Sequence, residues 1–272
     1  MHDTDDYVLG RRIFDSVRLD AQHLLWKLHK GYELDPRIPI TDDMKIAELG
    51  TGTAIWLYDL AQQLPVTVQL HGFDISDSQY PSKEQVPQNI TLGVLDSMKD
   101  PPSSLIGQYD VVHFRMWASN FRNGDPGPVI RHAKRLLKPG GYIQWEDADL
   151  IHQYVQGLAA KDFEEKVGNL FQKAGLDYNW VSQLSDSLQK EGFNVLEFDS
   201  AKFAPSLTQL CTNTFLLALQ EILQGIKRRC PPNQHSLALP THEDALYLLS
   251  TEHRDRIVYN WSPVTALAQL PL

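Results

Sequence analysis

The sequence predicts an α/β fold: a mostly parallel sheet of seven strands with helices on both faces. Three observations carry that prediction. Between residues 44 and 147, short apolar runs alternate with helical periodicity across short connections, as in a parallel sheet whose faces are both covered. The first run, Lys45-Ile46-Ala47-Glu48-Leu49, ends in the glycine turn Gly50-Thr51-Gly52. The second ends in a carboxylate, Asp74, followed by Ile75. A glycine turn beside a strand-end acid suits a nucleoside cofactor. The bare backbone allows close approach, and the carboxylate can accept both ribose hydroxyls.

Residues 11–30 read as a helix, with Phe14, Val17, Ala21, Leu24, Leu25 and Leu28 forming one apolar face. Gly31 stops it, and Pro36 and Pro39 keep the chain extended afterwards. Strand one spans 44–49, and the helix after the glycine turn carries Leu57, Leu60, Ala61 and Leu64 before Pro65. Strand two spans 68–74, and strand three spans 88–95 and runs into Asp96-Ser97. The near-continuous apolar run 109–114 reads as a strand buried on both faces. The next helix presents Val129, Ile130, Ala133, Leu136 and Leu137 and ends at Lys138-Pro139-Gly140-Gly141. Strand five, 142–145, closes on Glu146-Asp147.

Helical spacing returns at Phe163, Val167, Leu170, Phe171 and Ala174, and again at Trp180, Val181, Leu184 and Leu188. A sixth strand is expected over 192–198 and the last near 264–270. Between them lie helical stretches at 207–226 and 243–256, far longer than the about 2–6 residues that usually join such elements. They read as an insertion covering the functional edge. The expected organisation is therefore an N-terminal helical cap (1–40), a core (41–200), a helical insertion forming a substrate lid (201–258) and a final strand (259–272).

Bulk composition removes several functions. With 25 basic against 34 acidic residues the formal charge is −9, which argues against nucleic acid, whose affinity comes from clustered Lys and Arg. The two cysteines, Cys211 and Cys230, belong to no closely spaced Cys/His set, so neither a zinc site nor a disulfide framework is expected. No apolar run approaches the about 18 residues that span a bilayer. The acidic start Met1-His2-Asp3-Thr4-Asp5-Asp6 is unlike a secretory signal. A cytoplasmic protein with no membrane contact is expected, and a homodimer is compatible with the composition.

The cofactor is not a dinucleotide on this reading. A Gly-x-Gly-x-x-Gly fingerprint would place glycine where Ile55 stands. Glu48, two residues before the first glycine, would repel a pyrophosphate and suits a cofactor carrying positive charge. Here Ile46-Ala47-Glu48-Leu49-Gly50-Thr51-Gly52 resembles the first motif of class I S-adenosylmethionine (SAM) methyltransferases, a Rossmann-like family. Asp74 matches their ribose-binding acid, and Asp96, with Ser97 beside it, matches the residue that meets the adenine amino group. The run Arg135 to Ile143 is similar to the turn before their fifth strand, while Ala54 replaces a glycine many members carry.

A narrower resemblance, to fungal secondary-metabolite methyltransferases, rests on four segments. They are Tyr7-Val8-Leu9-Gly10-Arg11-Arg12 with Arg18-Leu19-Asp20-Ala21-Gln22-His23, the strand ending His113-Phe114-Arg115, and Trp145-Glu146-Asp147. It implies SAM as cofactor and methylation of a small-molecule natural product, with oxygen the first choice of acceptor. A SAM-binding cyclase or isomerase, and a methyltransferase-like regulatory or scaffolding protein, remain alternatives.

The resemblance implies a cofactor set of Tyr7, Arg18, Gln22, Glu48, Gly50, Thr51, Gly52, Asp74, Ile75, Asp96, Ser97 and Arg115. Several members have a plainer reading. Asp96 could cap a turn. Arg11, Arg18 and Gln22 form a helical stripe that is by default solvated, although the family's helix folds over the cofactor. Arg115 is expected to hold the methionine carboxylate or a neighbouring acid. His113 and His23 are the candidate general bases, since imidazole titrates near neutral pH; His113 could equally hold the cofactor or a loop by hydrogen bonding. Trp56, Trp117 and Trp145 could wall a pocket or simply fill the core.

Overall fold

The computed structural model describes residues 13–121, 123–229 and 240–272. Seven strands form one sheet: β1 Lys45–Leu49, β2 Gln69–Asp74, β3 Ile90–Val94, β4 Tyr109–Arg115, β5 Leu137–Gln156, β6 Asn194–Ser200 and β7 Val258–Gln269. Their order is β3-β2-β1-β4-β5-β7-β6. Only β7 runs against its neighbours. The chain order reverses between β1 and β4, and crossovers of one hand bring the carboxyl ends of these strands to one edge.

The helices are α1 Ile13–Lys30, α2 Ile55–Ala61, α3 Gly127–Leu136, α4 Leu158–Lys173, α5 Asn179–Ser182, α6 Leu184–Lys190, α7 Thr208–Arg229 and α8 His242–Asp255. Helices α7 and α8 lie between β6 and β7 in the chain, as the spacing predicts. No described helix is long and apolar enough to cross a membrane.

Two strands outrun the sequence expectation. Strand β5 continues past Asp147 because β7 pairs with it as far as Gln156↔Val258. That outer ribbon leaves Ile151 and Tyr154 about half exposed, so its residues alternate in no way that marks a strand. Strand β7 begins six residues before Val264; Pro263, which cannot donate to a ladder, hides its first half from a pattern reading. The single helical pattern from Trp180 to Leu188 is broken at Gln183 into α5 and α6.

Helix α1 reverses its expected face. Phe14, Val17, Leu24 and Leu28 are exposed, while Asp15, Arg18, Gln22 and His23 are buried with Leu25 and Trp26. Ion pairs decide this orientation: Arg18 meets Glu221 of α7 through two 2.8 Å hydrogen bonds. The solvated stripe expected for Arg18 and Gln22 is thus a buried one.

The tryptophans resolve as packing. Trp145 stacks on Phe114 at 4.2 Å, and Phe121 and Trp180 close round it. Beneath them the Asp147 carboxylate accepts from the Trp117, Ala118 and Ala148 amides and the Trp145 indole, all at 2.9–3.0 Å. Burial pushes this carboxyl up to about 6, with the four donors pulling back. Asp147→Asn leaves two donors facing an amide NH2 and is expected to cost about 1–2 kcal/mol in urea unfolding. The deficit widens as pH falls through about 6, because the wild-type fold takes up a proton there and the unfolded chain only near about 4.

Candidate functional site

The glycine turn leaves β1 at the switch point. Gly50 and Thr51 both donate to the Phe73 carbonyl, at 2.7 and 3.0 Å, which ties the turn to β2. Gly50 and Gly52 hold φ of +74° and +53°, a region glycine enters without steric cost. Ala54 also sits at φ +62°, so its methyl group is tolerated under strain. Each glycine also meets a side chain. A Cβ on Gly50 would come within 2.9 Å of the Trp117 indole nitrogen, and one on Gly52 within 3.1 Å of Leu19 in α1.

Helix α1 lies along this turn. Thr53 donates to Asp20 at 2.8 Å, and Gln79, beyond β2, donates to Ser16 at 3.2 Å. Asp74 ends β2 partly exposed, accepting from the Gly52 amide at 3.0 Å and the Ser76 amide at 3.2 Å. Asp96 follows β3 with its side chain 29% exposed. It accepts from the Met98 amide and pairs with Lys99 at 2.9 Å, an Asx turn that leaves it at the same edge, while Ser97 is buried. Close to the two acids in the chain, Ile75, Val94 and Met98 expose apolar side chains. Two accessible carboxylates and an apolar rim fit a nucleoside: hydroxyls and an amino group for the acids, a flat ring for the rim.

Behind the turn is a buried ionic layer. Thr51 donates its hydroxyl to Glu48 at 2.5 Å, and the other Glu48 oxygen faces His113 at 3.5 Å. Across β4, His113 faces Glu146 at 3.6 Å. Arg115 donates to Glu146 at 2.5 Å, to Glu33 at 3.3 Å and to His23 at 2.8 Å. His23 donates through its other nitrogen to Asp59 at 3.0 Å, which also holds Lys27. Burial works to raise the Glu146 carboxyl, but Arg115 and His113 hold it down to about 2. Burial, then Arg115, lowers the His23 pKa, and burial raises that of Glu33.

Some expected roles change and others narrow. Arg115 gives its guanidinium to Glu146, Glu33 and His23, which is the neighbouring-acid alternative of its two expected roles. Arg18 and Gln22 bond to each other and Arg18 to Glu221, so this pair joins α1 to α7. His113 is fully enclosed, which removes it as a base for a substrate proton. His23 has one nitrogen donating to Asp59 and the other accepting from Arg115, so no lone pair remains for a substrate. Glu48, Gly50, Thr51, Gly52, Asp74, Ile75, Asp96 and Ser97 do gather at one edge. Tyr7 lies outside the described residues. Pattern reading missed Leu19, Glu33, Asp59 and Glu221, whose partners are 32 to 203 positions away. It also missed Met116, held at φ +60° beside the site, for which the sequence offers no signal.

A family model described as "Methyltransferase domain" matches residues 33–198. The chain is 34% identical over 143 residues to methyltransferase grgD of Penicillium sp, covering 50% of each protein. It is 35% identical over 147 residues to N-methyltransferase tcpN of Claviceps purpurea, covering 52% of each. The match thus spans about half the length of these curated relatives. Among solved structures, phosphoethanolamine N-methyltransferase 2 of Haemonchus contortus aligns with TM-score 0.54 at 17% identity, over 99% of this chain and 60% of that one. The 4+2 cyclase SpnF aligns with TM-score 0.53 at 16% identity, over 97% of both chains. At these identities the two structures share a fold with the chain.

Proposed function

The chain belongs to the methyltransferase-domain family, and on that premise we propose that it transfers the methyl group of SAM to a heteroatom of a small natural product. The observation that carries this reading is the pairing of Asp74 with the Gly52 amide at 3.0 Å at the switch-point edge. Asp74 would then accept the ribose hydroxyls of SAM and Asp96 would meet the adenine amino group, with the exposed Ile75 and Met98 supplying apolar surface for the ring. When bound, SAM supplies an electrophilic methyl on a sulfonium.

The protein's own work is to hold the acceptor close and in line, away from water. Helix α1 covers the turn and is joined to α7 through Arg18 and Glu221, and on this reading α7 and α8 close the acceptor side. With His113 and His23 both engaged, neither supplies a base. Acceptors that need none are therefore favoured: an amine, a phenolate, a carboxylate or a thiolate. Two relatives named as N-methyltransferases put nitrogen level with oxygen.

The test is to incubate the purified chain with trideuteromethyl-labelled SAM and a fungal metabolite extract. One metabolite is expected to gain a single trideuteromethyl group. A metabolite changed without label would support a cyclase, and a chain that does not bind SAM would support a regulatory role.

A further inference from the structure

His113 lies in mid-strand, level with Glu48 of β1 on one side and Gln144 of β5 on the other. Its ring is wholly enclosed and stacks on Trp56, centroid to centroid 3.7 Å with planes 8° apart. Glu48 faces Nδ1 at 3.5 Å and Glu146 faces Nε2 at 3.6 Å. Neither nitrogen has a hydrogen-bond partner; the separations are too long for that, yet well within Coulomb range. A neutral imidazole carries one N–H and one lone pair. In either tautomer the lone pair would point at a carboxylate, in a site without water's screening. Only the imidazolium presents N–H to both acids, and its charge suits the indole face beneath it.

We propose that His113 is held as an imidazolium between Glu48 and Glu146, and that this charge positions the cofactor turn through Glu48 and Thr51. It is a positioning residue, acting through Glu48, whose second oxygen takes the Thr51 hydroxyl. The cofactor half of this inference rests on the SAM reading; the protonation half does not. The charges around the ring agree with it. Glu48 comes from β1, Glu146 from β5 and Arg115 from β4, while Glu33, His23 and Asp59 reach it through Arg115. Lys27 compensates Asp59 at the layer's rim. Four acids stand against two permanent cations, so a proton on His113 reduces the imbalance. Burial alone would strip that proton, but Glu146 and Glu48 outweigh it and the pKa is raised.

A raised pKa keeps the proton through neutral pH and loses it as pH rises, so the positioning is lost on the alkaline side. The first test is nitrogen NMR of the whole chain with labelled histidine. The His113 ring is identified by its contacts with Trp56, and by the signal missing from His113→Gln if that variant folds. Two protonated ring nitrogens at pH 7 are expected, and a neutral tautomer overturns the proposal. The second test is calorimetry with SAM across pH. Affinity should fall roughly tenfold from neutral to alkaline pH, and His113→Gln should sit near the lower value at every pH. Imidazolium shifts with a pH-independent affinity overturn the positioning role. If SAM does not bind at all, the functional reading fails while the NMR result still decides the protonation state.

Discussion

Asp74→Ala is expected to weaken SAM binding by roughly 100- to 10,000-fold while leaving the chain folded. Two ribose hydroxyls donating to one carboxylate form charge-assisted hydrogen bonds worth about 1.5–3 kcal/mol each, and each 1.4 kcal/mol is about tenfold in affinity. The side chain is partly exposed, so its removal opens no core cavity. The Gly52 and Ser76 amides it now serves lie at that accessible edge, where water can replace it. Asp74→Asn keeps one acceptor oxygen and should fall between wild type and Ala. Calorimetric titration reads the affinity, and a thermal melt within a few degrees of wild type separates lost binding from lost fold.

Arg115→Met is expected to cost about 3–5 kcal/mol of stability in urea unfolding, because it leaves buried acids without their cation. Glu146 and Glu33 are both within hydrogen-bond reach of this guanidinium and almost wholly buried. Adding Glu146→Gln to Arg115→Met should recover part of the loss, since the stranded charge goes with it. If Arg115 instead anchored a cofactor carboxylate, the single variant would unfold normally and bind SAM poorly. The two readings predict opposite patterns in the same pair of measurements.

The sheet and the edge that gathers the glycine turn with Asp74 were legible because their signals are local. Gly50, Gly52 and Asp74 announce themselves through strand ends, and the strand pattern from residue 44 to 147 needs only periodicity. The ionic layer was not legible. Arg115 and His23 have the chemistry of site residues, and only their partners, Glu33, Asp59 and Glu146, show them to be engaged. Those partners come from a loop, α2 and β5, and no spacing rule joins them. Helix α1 makes the same point in reverse. An apolar stripe ordinarily faces inward because hydrophobic burial wins, but here Arg18 finds Glu221 some two hundred residues later and the polar stripe turns inward. The long β5–β7 ribbon was hidden because each strand is defined by the other.

The central claim is methyl transfer, and counting S-adenosylhomocysteine against product tests it most directly. Purified chain, SAM and the acceptor found in the labelled extract should give one S-adenosylhomocysteine for each methylated product, with both lost in Asp74→Ala. Product formed without S-adenosylhomocysteine, or a yield unchanged by Asp74→Ala, would contradict the account.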